Sequence, residues 1–245
     1  MRILVVSDIH ANFTAFEAVL KDAGSFDKVW CLGDIVGYGP EPNECVNRLR
    51  ELDPICLAGN HDLAVTGRIS IWDFSKDAQE VIFWTRHWLS NPNFDWLNTL
   101  PDTPLVPDNH GITIVHGSLR DPVWEYVADP VIAKSNLEMS ETPFCLNGHT
   151  HLPAIFRKPW DDWRVQEEYP RINFPMKLTL DRMMINPGSV GQPRDEDPRA
   201  AYAIIDTDEM TYTYHRVLYD VSAVQKLMKQ AKFSNRLIRR LRFGQ

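Results

Sequence analysis

Five of the eight histidines fall in short polar segments that each follow an apolar run, in the company of Asp8, Asp34, Asn60 and Asp62. The segments are Ser7-Asp8-Ile9-His10, Gly33-Asp34, Gly59-Asn60-His61-Asp62, His116-Gly117 and Gly148-His149-Thr150-His151. Asp-x-His and His-x-His place alternate side chains on one side of an extended segment, so both members reach a common centre. The candidate donors are Asp8, His10, Asp34, Asn60, His116, His149 and His151, all nitrogen or oxygen. That set favours Mn, Fe, Zn, Ni or Co over a thiolate-bound ion, and holds more imidazole than Mg or Ca would want. Seven donors exceed the needs of one tetrahedral ion. They suit two divalent metal ions roughly 4 Å apart that share a carboxylate. Singly, each segment has a duller reading as a helix cap or a hydrogen-bonded core residue; five together in one chain do not. His87, His110 and His215 lie outside the pattern.

Such donors need rigid elements to hold them, and the first third of the chain supplies alternating ones. Arg2–Ser7, Lys28–Leu32 and Ile55–Ala58 read as buried strands. Between them, apolar positions at Phe13, Phe16, Val19, Leu20 and Ala23, and at Cys45, Val46, Leu49 and Leu52, recur at helical spacing. Asn12 is placed to cap the first helix, Gly24 to end it and Pro42 to open the second. Strand-helix-strand order predicts parallel units, whose strand C-termini are where α/β folds build ligand sites. A Trp-rich helix is predicted over Lys76–Leu89. Later segments are shorter: Ile112–Val115, Phe144–Leu146, Lys177–Leu180, Met183–Ile185 and Ala201–Ile205 read as strands, and Met210–Tyr219 alternates as a half-exposed one. Residues 153–175, rich in Trp, Pro and charge, give no clear element. With no linker or repeat, the expectation is one α/β domain over residues 1–245.

The 245 residues are 44% apolar and 24% charged, as in an ordinary globular protein. The opening run Ile3–Val6 is too short for a secretory or membrane-spanning segment, so a cytoplasmic protein without membrane contact is expected. Cys31, Cys45, Cys56 and Cys145 are not spaced as a disulfide framework and read as buried thiols. The net charge is −7, which speaks against a broad nucleic-acid surface. Residues 221–245 nevertheless carry seven basic residues and no acidic one, leaving −14 on the first 220. Apolar residues at helical spacing through this tail predict amphipathic helices over 221–243, broken near Phe233–Asn235 and packed on the body.

The five segments, in this order, resemble the motif series of the calcineurin-like metallophosphoesterase superfamily. Gly33–Pro42 and Asn186–Asp195 are similar to its small prokaryotic phosphodiesterase-like branch. The resemblance implies two facing mixed β-sheets flanked by helices, with a dimetal site at one edge of the sandwich. It implies Asp8, His10 and His151 on one metal, Asn60, His116 and His149 on the other, and Asp34 bridging both. The activity implied is hydrolysis of a small phosphoester, a phosphodiester or nucleotide, by a hydroxide held between the ions. His61 would be the general acid and Asp62 the group that orients its imidazole.

Asn12 and Arg194 are candidate substrate contacts. Their competing readings are a helix cap for Asn12 and a surface salt bridge to Asp195 or Glu196 for Arg194. Gly37 and Gly39 lack the spacing of a nucleotide-binding glycine loop. A protein phosphatase of the same superfamily is the alternative, but Asp62 is followed by Leu63 and Ala64 where those enzymes carry a phosphate-binding arginine. A non-catalytic scaffold of the same fold would have lost site residues that this chain keeps.

Overall fold

The structure is a computed structural model that describes residues 1–179 and 181–245, including every side chain among them except that of Asn109. The chain begins β1 (Arg2–Val6), α1 (Phe13–Ala23), β2 (Lys28–Cys31), α2 (Pro42–Glu51), β3 (Ile55–Cys56). Helices α3 (Asn60–Thr66), α4 (Lys76–Trp88) and α5 (Asn91–Thr99) follow, then β4 (Ile112–Ile114), α6 (Pro130–Met139) and β5 (Phe144–Leu146). The rest is β6 (Ala154–Lys158), β7 (Gln166–Glu168), β8 (Pro175–Lys177), β9 (Arg182–Asn186), β10 (Ala200–Asp206), β11 (Thr211–Val217), α7 (Val221–Gln230) and α8 (Asn235–Arg240).

These strands form two mixed sheets, one ordered β3-β2-β1-β10-β11-β8 and the other β4-β5-β9-β6-β7. Strand β1 shows why the sheets face each other. Its Ile3 and Val5 join Trp30, Ala203, Ile205 and Tyr212 against Ile114, Phe144, Met183 and Ile185 of the second sheet. Its Leu4 and Val6 point the other way, into a layer with Phe16, Val19, Val46 and Leu49 of α1 and α2. Alternation along one strand thus feeds two cores, as the period of two requires. The far side of the second sheet is closed by Ala133 and Leu137 of α6 on Cys145, Phe156 and Met184. The result is the four-layer α/β sandwich with two facing sheets. All four cysteines are buried and free.

Within each sheet three strands run parallel: β1 with β2 and β3, and β4 with β5 and β9. The loops leaving the C-termini of these six strands carry the polar segments. They are stitched to one another by backbone bonds, including Asp8 N–H to Gly33 O at 3.0 Å, His10 N–H to Asp34 O at 2.9 Å and Gly148 N–H to His116 O at 2.8 Å.

Several elements differ from the sequence expectation. The strand read at Lys177–Leu180 is β8, Pro175–Lys177, with Leu180 outside the described residues. Residues 153–175 supply β6 and β7, where Ala154 to Lys158 pair with β9. Helices α3, α5 and α6 are additions, two of them opened by a proline in the first turn. The helix read over Lys76–Leu89 is α4, in which Val81 and Ile82 are buried and Trp88 is 58% exposed. In the tail, Val224, Met228, Leu237, Ile238 and Leu241 pack on Val81, and the chain breaks between Gln230 and Asn235. Among the described residues no helix is long and apolar enough to cross a membrane.

Candidate metal centre

The donor atoms of Asp8, His10, Asp34 and His151 lie within 4.8 Å of one another, and so do those of Asp34, His116 and His149. Asp34 belongs to both groups. All six side chains are buried, and Asn60 completes the second group, its Oδ1 lying 3.2 Å from His116 Nε2.

Each carboxylate has one oxygen tied down and one turned inward. Asp8 Oδ2 accepts from Ser7 Oγ–H at 2.6 Å and from His149 N–H at 3.2 Å, while Oδ1 is buried with no hydrogen-bond partner. Asp34 Oδ1 accepts from His61 N–H at 2.9 Å. Its Oδ2 lies 3.6 Å from His10 Nε2 and 3.7 Å from His116 Nε2, between the two groups.

The imidazoles are oriented from behind. The outer nitrogen of each meets a backbone carbonyl: His10 Nδ1 to Val36 O at 3.1 Å, His116 Nδ1 to Leu32 O at 2.9 Å, His151 Nδ1 to Gln192 O at 2.6 Å and His149 Nε2 to Trp124 O at 3.2 Å. A nitrogen that donates to a carbonyl fixes the tautomer and leaves the inner nitrogen as a lone pair, the arrangement in which histidine binds metal. His10 Nε2 and His151 Nε2 then face each other at 3.0 Å as two lone pairs. Burial pushes His10, His149 and His151 well below the usual imidazole range, so no proton relieves that contact. Burial likewise raises Asp8 to about 7 and Asp34 well above the carboxylate range. Converging lone pairs, an orphaned buried carboxylate oxygen and an all-nitrogen-and-oxygen donor set fit a metal site.

The backbone geometry behind this convergence is not the extended one expected from Asp-x-His and His-x-His. Asp8, His10, Asp34, His149 and His151 have φ of 53°, 48°, 53°, 66° and 62°. The left-handed region is uncommon for residues other than glycine, though Asp and His adopt it more readily than most, and holding five donors there carries a backbone cost that the stitched loops must balance. Close approach is met by glycine: a Cβ on Gly59 would stand 2.1 Å from Asp34 Oδ1.

The two acid-base candidates separate. His61 lies in the cleft, its ring 4.4 Å from Tyr38 and 5.1 Å from Phe74, with Nδ1 buried and unpartnered. Burial first, then the Arg194 and His116 charges, pushes it down to about 3. Asp62 does not orient it, which corrects the sequence expectation. Asp62 is the third residue of α3, and its carboxylate turns back to accept from Gly59 N–H, Ile35 N–H and Val36 N–H, each at 3.0 Å. It fastens the Asp34 loop to the start of α3, which makes it a positioning residue rather than a catalytic one. Asp62→Ala leaves three buried amides unpaired and is expected to destabilise the fold by about 3 kcal/mol. That is roughly 6–12 °C in Tm for a chain of this size. A wild-type melting curve with activity lost would contradict this assignment.

Of the two readings of Asn12, the helix cap is the one the structure shows. Asn12 Oδ1 accepts from Ala15 N–H at 3.1 Å and its Nδ2 donates to Gly191 O at 2.9 Å, so the side chain caps α1 and tethers the late loop. Arg194 behaves in the opposite way. Asp195 is taken by Arg216 and by Tyr169 O–H, and Arg194 makes no salt bridge among the described residues. It lines a cleft of about 170 Å³ beside Asp34, Asn60, His61, His149 and His151.

Sequence reasoning missed the aromatic wall of that cleft. Tyr126 stacks on His149 with centroids 4.2 Å apart and planes at 8°, and Trp124 and Phe74 stand 5.0 Å from each other beside it. Tyr38, between Gly37 and Gly39, carried the one usable signal, an aromatic flanked by glycines in a loop after a strand.

Residues 1–210 match the family model of the calcineurin-like phosphoesterase superfamily domain. The chain belongs to this superfamily. It is 36% identical over 237 residues to an uncharacterized protein of Methanocaldococcus jannaschii, covering 93% of this chain and 92% of the relative. The crystal structure of a metallophosphoesterase from Sphaerobacter thermophilus is 43% identical, with a TM-score of 0.90 over 100% of this chain and 99% of that one. A symmetrical bis(5'-nucleosyl)-tetraphosphatase of Aromatoleum aromaticum is 29% identical over 171 residues, 66% of this chain and 60% of the relative's length. The metallophosphoesterase is thus a phosphoric ester hydrolase of a metal-dependent family, and its clustered Asp and His side chains fit the metal site such an enzyme uses.

Proposed function

We propose that this metallophosphoesterase is a dinuclear enzyme that hydrolyses phosphodiester bonds in small, nucleotide-type substrates. The observation that carries the reading is Asp34, whose inward oxygen belongs to both donor groups. Asp8, His10 and His151 would hold one divalent ion and Asn60, His116 and His149 the other. When bound, such a pair supplies Lewis-acid activation of the attacking water and offsets charge on the phosphoryl oxygens.

The chain's own residues do the rest. Arg194 offers its guanidinium to a phosphate oxygen from the cleft wall. Burial, then the Arg194 and His116 charges, favours a neutral His61; a phosphate anion entering the cleft would provide the counter-charge that a protonated ring needs to serve as acid. Tyr126, stacked by one face on His149 and otherwise exposed, offers its other face to a base. Similarity to the tetraphosphatase of A. aromaticum supports a nucleotide-type substrate.

The test is turnover of bis-p-nitrophenyl phosphate and p-nitrophenyl phosphate with added Mn. Diester hydrolysis that a chelator abolishes is expected; no hydrolysis of either ester with any divalent metal would overturn the reading. His61→Ala is expected to retain metal and to lose about 10²–10⁴-fold in kcat on esters with poor leaving groups, but much less on p-nitrophenyl esters. Equal losses on both would remove the acid role.

A further inference from the structure

The tail places a second guanidinium against the Tyr38 ring that lines the cleft. Helix α8 docks through Leu237 and Ile238, and Tyr38 packs against the same apolar cluster. This brings the Arg240 guanidinium carbon 5.9 Å from the centroid of the Tyr38 ring, the same distance at which Arg194 approaches that ring. Neither arginine has an Asp or Glu carboxylate within salt-bridge distance among the described residues; Arg240 donates to the main-chain oxygen of Gln245, the last residue of the sequence, and Arg194 to Gln192 Oε1 at 3.1 Å. Burial, and next the Arg194 charge, lowers Arg240 to about 10. Two half-buried like charges at one ring are unfavourable, and contact with the Tyr38 ring offsets only part of that.

Beyond Arg240 the basic surface continues. Arg236, Arg239, Arg240 and Phe243 line a cavity of about 520 Å³ with no acidic residue in its wall. Arg236 reaches only Asp77, at 4.0 Å and 84% exposed. The packing of 221–245 explains the apolar face of the tail and leaves Asp77, at 4.0 Å from Arg236, as the one Asp or Glu within salt-bridge distance of this basic face among the described residues.

We propose that Arg240, which shares the Tyr38 ring with Arg194, binds a second anionic group of the substrate, so that the enzyme selects phosphoesters carrying further phosphates beyond the one hydrolysed. The chain of positive charge runs from the metal centre through Arg194 and Arg240 to Arg236 and Arg239, a path that fits an oligophosphate. This rests on the phosphoesterase reading and adds the substrate class to it.

The experiment is calorimetric binding, in excess Mn, of adenosine 5'-monophosphate and of a non-hydrolysable methylene-bridged analogue of diadenosine tetraphosphate. The readout is the ratio of the two dissociation constants. Arg240→Gln is expected to lower the preference for the longer ligand about tenfold, the worth of one charge-assisted contact. Arg240→Lys, which keeps the charge and loses the fork, is expected to lower it about threefold. Arg242→Gln, an exposed tail arginine outside the cavity, is expected to keep the wild-type ratio and so controls for net charge. A wild-type ratio in whichever Arg240 variant folds would overturn the proposal, as would an equal loss in Arg242→Gln. Should the wild-type chain hydrolyse no phosphoester with any metal, the phosphoesterase reading falls separately, while the binding ratio still decides the role of Arg240.

Discussion

Asp34→Asn is expected to lower kcat by at least about 10³-fold and to leave the fold intact. The physical reason lies in how the two oxygens are used. Oδ1 accepts from His61 N–H, a bond that an amide oxygen can keep, so the loop has no cause to move. Oδ2 is the atom placed between His10 and His116, and replacing it removes the one negative charge common to both donor groups. Loss of a single preorganised electrostatic contact in an active site commonly lowers kcat 10²–10³-fold, and a shared ligand acts at two ions. Without metal, the variant is expected to melt at or above the wild-type temperature, because burial and the Asp62 charge disfavour an ionised Asp34. Kinetics on bis-p-nitrophenyl phosphate and melting curves with and without a chelator check both halves. A variant that keeps wild-type turnover would contradict the bridging role.

Removal of metal from the wild-type chain is expected to have the largest effect on stability. Lone pairs of His10 and His151 meet at 3.0 Å, and Asp8 Oδ1 is buried without a partner, so the donor cluster opposes folding until cations occupy it. A ligand present at about 1,000 times its dissociation constant stabilises by about 4 kcal/mol. For a chain of this size that is roughly 8–16 °C in Tm. Scanning calorimetry with a chelator, then with Mn restored, measures it. Equal melting temperatures in the two states would contradict a metal-dependent centre at these residues.

How far the sequence made this legible depended on which physical relation was being read. Strands β1 and β2 were plain because both of their faces are buried, which produces unbroken apolar runs such as Ile3–Val6. The donor types were plain because their chemistry does not depend on conformation. The conformation is not legible in the same way: a period-of-two argument assumes extended backbone, whereas the site is built from left-handed turns held by loop-to-loop bonds such as Asp8 to Gly33. Adjacency also misled at Asp62. The third residue of a helix turns its side chain back over the preceding turn, toward Gly59 and the Asp34 loop, and away from its neighbour His61. Arg194 offered a local pairing with Asp195 that the fold does not use, because Arg216 on β11, distant in sequence, claims that carboxylate first. Helix α6 escaped because its buried positions, Ala133, Asn136 and Leu137, include an amide and no strong apolar stripe.

The most direct test of the two-ion centre is an anomalous-difference map from crystals of the wild-type chain grown with Mn, collected at the Mn absorption edge. Two peaks are expected, one among Asp8, His10 and His151 and one among Asn60, His116 and His149, with Asp34 touching both. A single peak, or peaks that leave Asp34 untouched, would contradict the account.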